Sequence, residues 1–175
     1  SSIDTAAEVG LLNDVLDVQL STSVDTPAAL ASLAQTVSGV LATAAGSAAN
    51  PALSASALSA IGITGVTADN LAAILAAIAA TPDNGSGVDS LAELQTVVSA
   101  AAAAYTNAIN TLKVYDGTQA APATSVYANA GVTGVNSTNV AAINAALAVL
   151  DVAHTDTAGK IQAVVTAYDL SLIHI

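Results

Sequence analysis

Apolar side chains recur at helical spacing along most of this chain. The clearest stripe contains Leu71, Ile74, Leu75 and Ile78, which fall on one face of a helix with 3.6 residues per turn. Comparable stripes follow along the chain, separated by breaks that are rich in Gly, Pro, Asn and Asp. The pattern predicts an all-α protein made of short helices.

A five-residue phrase occurs twice, with a spacing of 69 residues between corresponding positions. It reads Gly-Ile-Thr-Gly-Val at residues 62–66 and Gly-Val-Thr-Gly-Val at residues 131–135. The first glycine of each copy follows a predicted short helix, and a left-handed glycine at that position ends a helix without strain. We interpret the phrase as a structural joint, and its recurrence predicts an array of similar units.

The last predicted unit has three helices. The first covers residues 123–130, and the second covers residues 138–150 with Ser137 or Thr138 as its cap. A loop at residues 151–155 leads to a third helix that starts near Asp156. The apolar faces of the second and third helices consist of Val140, Ile143, Leu147 and Leu150, and of Ile161, Val164, Val165 and Tyr168.

The middle predicted unit follows the same plan around Gly62. Asp89 is expected to open its third helix, which extends to about Leu112 as a connector. The first unit is partial and contains only the second and third helices, with Asp25-Thr26-Pro27 as a cap that places Pro27 at the first helical position. Its stripes are Leu12, Val15, Leu16 and Leu20, and Leu30, Leu33, Val37 and Leu41.

These assignments predict a tandem array of small three-helix bundles. Residues 1–46 form the partial unit, residues 47–119 a full unit with a C-terminal linker, and residues 120–169 another three-helix unit. Residues 170–175 match the translation of CTGTCTCTTATACACATC, a transposon end used as a sequencing adapter, and we expect them to derive from an environmental DNA library. The alternative is a native hydrophobic strand, and we assign no function to His174.

Composition and net charge exclude or disfavour several classes of function. Apolar residues make up 54% of the 175 residues and aromatics 2%, which suits thin Ala/Val/Leu/Ile seams between close helices. The net charge of −11, with only Lys113 and Lys160 as cations, disfavours nucleic acids and anionic membranes as partners. Cysteine is absent, so disulfide and thiolate chemistry are excluded. The longest apolar run, residues 71–80, is about half a membrane span, and no membrane insertion is predicted.

Two groups of acidic residues are candidates for chemistry. Oxygen ligands crowd one loop and could bind Ca²⁺, although their order is not that of an EF-hand. The favoured interpretation is a turn with Asp89 as a helix cap. The loop residues are Asp83, Asn84, Ser86 and Asp89. Asp14 and Asp17 lie three residues apart on a helix and could form a carboxylate pair, but the favoured interpretation is a solvated face.

The remaining candidates are one histidine, the glycine-rich phrases and the tyrosines. His154 beside Asp156 could be drawn into a Ser/His/Asp arrangement, but no nucleophile elbow accompanies it. The glycine phrases could suggest phosphate cradles, but they lack the lysine of a P-loop. The tyrosines are expected at core rims and beside the linker: Tyr105, Tyr115, Tyr127 and Tyr168. We therefore predict no enzyme, no catalytic or metal residue and no cofactor.

The order of short helix, Gly-Ile/Val-Thr turn, second helix, loop and third helix resembles the GA-like three-helix modules of bacterial surface proteins. The chain also resembles the Ala/Val/Asp-rich repeats of large secreted adhesins. The matching segments are residues 61–64, 94–98, 130–133, 143–146 and 161–165. Albumin-binding modules use bulky residues in the second helix, whereas residues 70–73 and 139–142 offer no aromatic anchor. We carry over no binding residue.

Together these features favour a non-enzymatic repeat region of a large bacterial adhesin, acting as a stalk, spacer or display module. The expected location is extracellular or on the cell surface, and its neighbours are further repeats of the same chain. A GA-type module that captures a host or matrix protein is the alternative. The chain lacks a starting Met and a signal peptide, so we expect it to be an internal fragment.

Overall fold

The computed structural model describes residues 3–20, 24–82 and 84–173, which contain eight α-helices and no β-strand. This confirms the all-α prediction. The helices are α1 (Ala6–Val18), α2 (Pro27–Ala44), α3 (Ala55–Ala60), α4 (Leu71–Ala79), α5 (Leu91–Lys113), α6 (Thr124–Asn129), α7 (Val140–Leu147) and α8 (Ala158–Ile173). A short 3-10 turn, Val152–His154, lies between α7 and α8.

The chain divides into two compact units, and the division falls inside α5. Unit 1 is Ser1–Ala102 and contains α1 to α4 with the first half of α5. Unit 2 is Ala103–Ile175 and contains the second half of α5 with α6 to α8. The predicted extension of the middle unit's third helix to about Leu112 agrees with α5, which ends at Lys113.

Unit 1 has one core to which all five of its helical segments contribute. Its buried side chains are Leu11, Val15, Leu33, Val37, Val40, Ala44, Leu53, Leu58, Ile61, Ile63, Ile74, Ile78, Val88, Leu94 and Val98. The boundary predicted after residue 46 therefore falls within the segment that builds a single core. Short alanine-rich helices each bury little apolar area, so more of them must combine to fill a core.

Unit 2 has a separate core. It consists of Ala108, Ile109, Leu112, Tyr127, Ala130, Val132, Ile143, Leu147, Ile161 and Val165. Tyr105 and Tyr168 are partly buried against it, as expected of core-rim residues, and so is Tyr115, which was expected beside the linker. Tyr127 was expected beside the linker, but its side chain is fully buried.

Side-chain caps mark where several helices begin. The Thr26 hydroxyl accepts a hydrogen bond from the Ala29 amide, and Pro27 occupies the first turn of α2, as predicted. At α5 the prediction of Asp89 as the cap is wrong. Ser90 performs that role: its hydroxyl accepts from the Glu93 amide at 3.3 Å and donates to the Glu93 carboxylate at 3.0 Å.

Two helices of unit 2 differ from their predicted bounds. α7 ends at Leu147, so Leu150 lies beyond the helix and is 36% exposed. Neither Ser137 nor Thr138 caps α7; the residue before its first turn is Asn139, which makes no side-chain cap bond. α8 begins at Ala158 rather than near Asp156.

Some apolar positions are more exposed than their stripes predicted. Leu20 follows the end of α1 and is 74% exposed, and Leu30 in the first turn of α2 is 41% exposed. Both lie at the ends of their stripes: Leu20 beyond the last residue of α1, and Leu30 in the first turn of α2. At the C-terminus α8 includes residues 170–173, so these are helical rather than a strand, and His174 lies outside the described residues.

Candidate functional site

The two copies of the repeated phrase adopt the same turn. Gly62 and Gly131 have φ angles of 93° and 71°, in the left-handed region that favours glycine. The amide of the next residue donates back to the helix that precedes the turn: Ile63 to the Leu58 carbonyl at 3.1 Å, and Val132 to the Tyr127 carbonyl at 2.9 Å. Ile63 and Val132 are buried, so each turn also plugs its core.

A buried asparagine ties the end of each turn together. The Asn70 side chain accepts from the Thr67 amide at 2.8 Å and donates to the Gly65 carbonyl at 2.9 Å. The Asn139 side chain makes the corresponding bonds to the Asn136 amide and the Gly134 carbonyl, both at 2.8 Å. Because a buried amide needs its partners, these bonds fix the loop that leads into α4 and α7.

A glutamine from the third helix clamps each turn. Gln95 accepts from the Thr64 amide at 2.9 Å and donates to the Thr64 carbonyl at 3.2 Å. Gln162 does the same to Thr133, at 2.8 and 3.2 Å. The glutamines are 67 residues apart although the turns are 69 apart, so the segment between turn and glutamine is two residues shorter in unit 2: one residue in the second helix and one in the loop that follows it.

These bonds decide how the phrase should be interpreted. A phosphate cradle needs backbone amides that point at the ligand. The Thr64 and Thr133 amides point instead at a glutamine oxygen of their own unit. The hydrogen bonds agree with the interpretation of the phrase as a structural joint.

Asp14 and Asp17 occupy different environments. The Asp14 carboxylate is half-buried and accepts from the Leu91 amide at 3.0 Å, so α1 caps the beginning of α5. Asp17 is exposed. The prediction of a solvated face holds for Asp17 but is wrong for Asp14. Both residues line a shallow groove with Val18, Gly62, Leu91, Ala92 and Gln95.

The oxygen-rich loop before α5 shows no metal geometry in the part of the chain that the structure describes. Asn84 accepts from the Ser86 amide at 3.1 Å, which is a local turn. Asp83 lies outside the described residues, so its place in the candidate calcium site is not part of this structure. No cluster of three or more His, Cys, Asp or Glu side chains that could hold a metal occurs among the residues described.

His154 pairs with Asp151 rather than with Asp156. Its ring nitrogen lies 2.5 Å from an Asp151 oxygen, and both side chains are about two-thirds exposed, at 67% and 69%. This hydrogen bond holds the pKa of the Asp151 carboxyl below its usual value. Asp156 instead pairs with Lys160 at 2.7 Å. Within the described residues no serine hydroxyl bonds to His154, so the Ser/His/Asp arrangement is not assembled.

A buried polar pair in unit 2 was missed by the sequence pattern. The Tyr127 hydroxyl donates to the Asn144 side chain, whose amide nitrogen donates to the Pro122 carbonyl at 3.0 Å. Burial, and then the neighbouring Tyr115, raise the pKa of Tyr127 well above its usual value. Asn144 lies in an alanine-rich stretch next to the apolar stripe, and helical spacing alone does not show that this polar side chain is buried. Tyr127 on the facing helix was the only signal for a buried partner.

One described helix, α2, is long and apolar enough to cross a membrane by length and composition. Leu33, Val37 and Val40 of that helix are buried in the core of unit 1. The core helix of a folded unit meets the same criterion, so this is weak evidence for a membrane span.

Comparison with protein-family models, with curated proteins and with solved structures finds no match for this chain.

Proposed function

We propose that this chain is a non-enzymatic repeat region of a large secreted or surface-anchored bacterial adhesin, where it serves as a stalk, spacer or display module. The observation that carries the proposal is the pair of turns with corresponding hydrogen bonds. Each uses a left-handed glycine, a buried asparagine and a glutamine clamp. Reuse of one joint at a fixed spacing is what an array of similar units requires.

The distribution of charge supports a function in which the protein is exposed to solvent. Unit 1 carries nine of the 13 acidic residues and neither lysine, so it accounts for −9 of the net charge of −11. A surface of one sign keeps long proteins soluble and prevents neighbouring copies from associating.

Two of the polar side chains that suggested chemistry have structural partners, which favours a non-enzymatic role. Asp14 caps α5, and Asn84 closes a local turn. The GA-like three-helix module is the finer form of this proposal, with each joint connecting the first and second helices of one module.

The coding sequence that flanks this region tests the proposal. We expect further copies of the Gly-Ile/Val-Thr-Gly-Val phrase at similar spacing, together with an export signal in the same reading frame. A parent gene that contains a single unit and encodes no export signal would rule the proposal out.

The groove beside α1 favours a second candidate, a module that captures a host or matrix protein. Val18 is 59% exposed there, next to the acidic Asp14 and Asp17. Titration of the full chain against purified serum and matrix proteins tests this function. We expect Val18→Ser to weaken binding, whereas Val9→Ser, at a position 46% exposed on the same helix, should not. The absence of binding at high concentration would contradict this candidate.

A further inference from the structure

Residues 136–138, Asn-Ser-Thr, have the spacing of an acceptor for asparagine-linked sugars. They lie in the loop between α6 and α7, and the side chains of Asn136 and Thr138 are exposed. We propose that Asn136 is a glycosylation site that accepts a sugar on its Nδ2 atom. Such sites require an exposed loop, because the attached sugar is bulky and hydrated.

The hydrogen bonds fix which side-chain atom of Asn136 is already bonded. The Thr138 amide donates to the Asn136 side chain at 2.9 Å, and the Thr138 hydroxyl donates to the same atom. A backbone N–H can only donate, so the atom it meets is Oδ1. Nδ2 is therefore on the other side of the carboxamide, and it makes no hydrogen bond within the described residues. The motif's own hydroxyl is already in contact with the acceptor side chain.

Other asparagines use their Nδ2 atoms inside the fold. Asn70, Asn139 and Asn144 are buried and donate to the carbonyls of Gly65, Gly134 and Pro122. None of the three is followed by Ser or Thr two positions later. The three asparagines that make buried hydrogen bonds therefore lie outside the acceptor motif.

The reaction requires a sugar that is activated as a glycosyl diphosphate, with an enzyme to transfer it. Asn136 Nδ2 forms a bond to the anomeric carbon as the bond from that carbon to the diphosphate oxygen breaks. The diphosphate leaves with the bonding electron pair, and Nδ2 releases one proton to a base. The donor can be a nucleotide sugar or a polyprenyl-linked sugar, which share this chemistry.

Asn84-Gly85-Ser86 is a second copy of the motif, in the loop before α5 of unit 1. Asn84 and Ser86 are exposed, and the Ser86 amide donates to the Asn84 side chain at 3.1 Å. No bond from the Ser86 hydroxyl to Asn84 occurs in the described structure. We therefore expect Asn84 to be modified more slowly than Asn136.

Mass spectrometry of the folded full chain after treatment with two kinds of enzyme tests the proposal. One arm uses a soluble asparagine glycosyltransferase with a nucleotide sugar, and the other a membrane oligosaccharyltransferase with a polyprenyl diphosphate sugar. We expect a sugar at Asn136 in at least one arm. Asn136→Gln and Thr138→Val should each abolish it, whereas Asn129→Gln, at an exposed asparagine outside the motif, should not.

Unit 1 offers a matched gain of function. Thr67 corresponds to Asn136, and its amide makes the corresponding bond to a buried asparagine, but residues 67–69 lack the motif. Thr67→Asn combined with Asp69→Thr should create a new acceptor, and Thr67→Asn alone should not. Circular dichroism of each variant confirms that the helices are retained.

Failure of the folded chain in both arms overturns the proposal, whether or not a peptide of residues 131–142 is modified. Retention of the sugar in Thr138→Val would overturn it as well. The inference rests on the proposed surface location only for the role that a sugar at Asn136 has in the cell. The enzymatic assay and the flanking coding sequence are independent, so either can fail while the other succeeds.

Discussion

Both units contain the same type of turn, but corresponding core positions carry apolar side chains in unit 1 and polar side chains in unit 2. Unit 1 has Leu58, Leu75 and Val88 where unit 2 has Tyr127, Asn144 and Thr155. The apolar residues of unit 1 need only shape complementarity, whereas the polar residues of unit 2 need partners, and they have them. The comparison teaches that the joint, rather than the composition of the core, is the constant part of the structure.

The largest expected effect comes from Tyr127→Ala. The change leaves a cavity in unit 2 and removes the donor to Asn144, so we expect a loss of about 4 kcal/mol in the free energy of unfolding. Leu58→Ala at the corresponding position of unit 1 should cost about 3 kcal/mol. Chemical denaturation with hydrogen exchange resolved by segment measures both. Equal losses in the free energy of unfolding would show that the hydrogen bond between Tyr127 and Asn144 contributes nothing beyond packing.

Asn144→Leu, which introduces the residue type found at position 75, should cost about 2 kcal/mol because the Tyr127 hydroxyl and the Pro122 carbonyl lose their partner. Adding Tyr127→Leu should recover about 1 kcal/mol, since the buried hydroxyl is then also removed. A double-mutant cycle of unfolding free energies checks the coupling. Strictly additive changes would contradict the pairing.

Gly62→Ala and Gly131→Ala test whether the joint is the same in both units. Both glycines have positive φ angles, and an alanine there costs about 1 to 2 kcal/mol. Ala45→Gly, outside the turns, is the control. Thermal denaturation should show similar losses of stability in the two units. A loss in only one unit would mean that the turn of the other unit can adjust to the alanine.

The smallest effect concerns Glu8, whose capping box belongs to unit 1. Burial raises the pKa of Glu8, but hydrogen bonds from Asp4, Thr5 and Ser38 outweigh it and lower the pKa below the usual 4.5. The stabilisation is therefore present above the unfolded-state pKa and is lost as pH falls through the lower folded-state pKa.

Glu8→Gln should remove that part of the acid dependence, at a cost of less than about 1 kcal/mol at neutral pH. Unfolding curves measured between neutral and acidic pH compare the variant with the natural chain. An unchanged acid dependence in the variant would assign the effect to other carboxylates.

The sequence predicted local features better than long-range ones. Helical spacing located the helices, and the glycines at 62 and 131 located the turns, because both depend on neighbouring residues. The cap of α5 by Asp14 joins residues 77 positions apart, and Gln95 reaches Thr64 over 31 positions. Such contacts depend on how helices pack, which periodicity does not specify.

The grouping of the helices into two cores could not be predicted for a related reason. The repeat marks corresponding positions, but it does not show which helices share a core. α1 and α2 contribute Leu11 and Val37 to the same core as Ile74 of α4. Small alanine-rich helices can be combined in several ways with similar burial, so the sequence pattern alone leaves the grouping open.

The glutamine clamp has a consequence for how such a protein can change length. Because Gln95 and Gln162 hold their turns at nearly the same distances, the third helix meets the joint in the same way in both units, although the segment between turn and glutamine differs by two residues. The stretch made of the end of the second helix and the loop after it is thus a place where residues can be gained or lost without changing the rest of the unit. For a protein engineer, it is the natural insertion point for a foreign peptide.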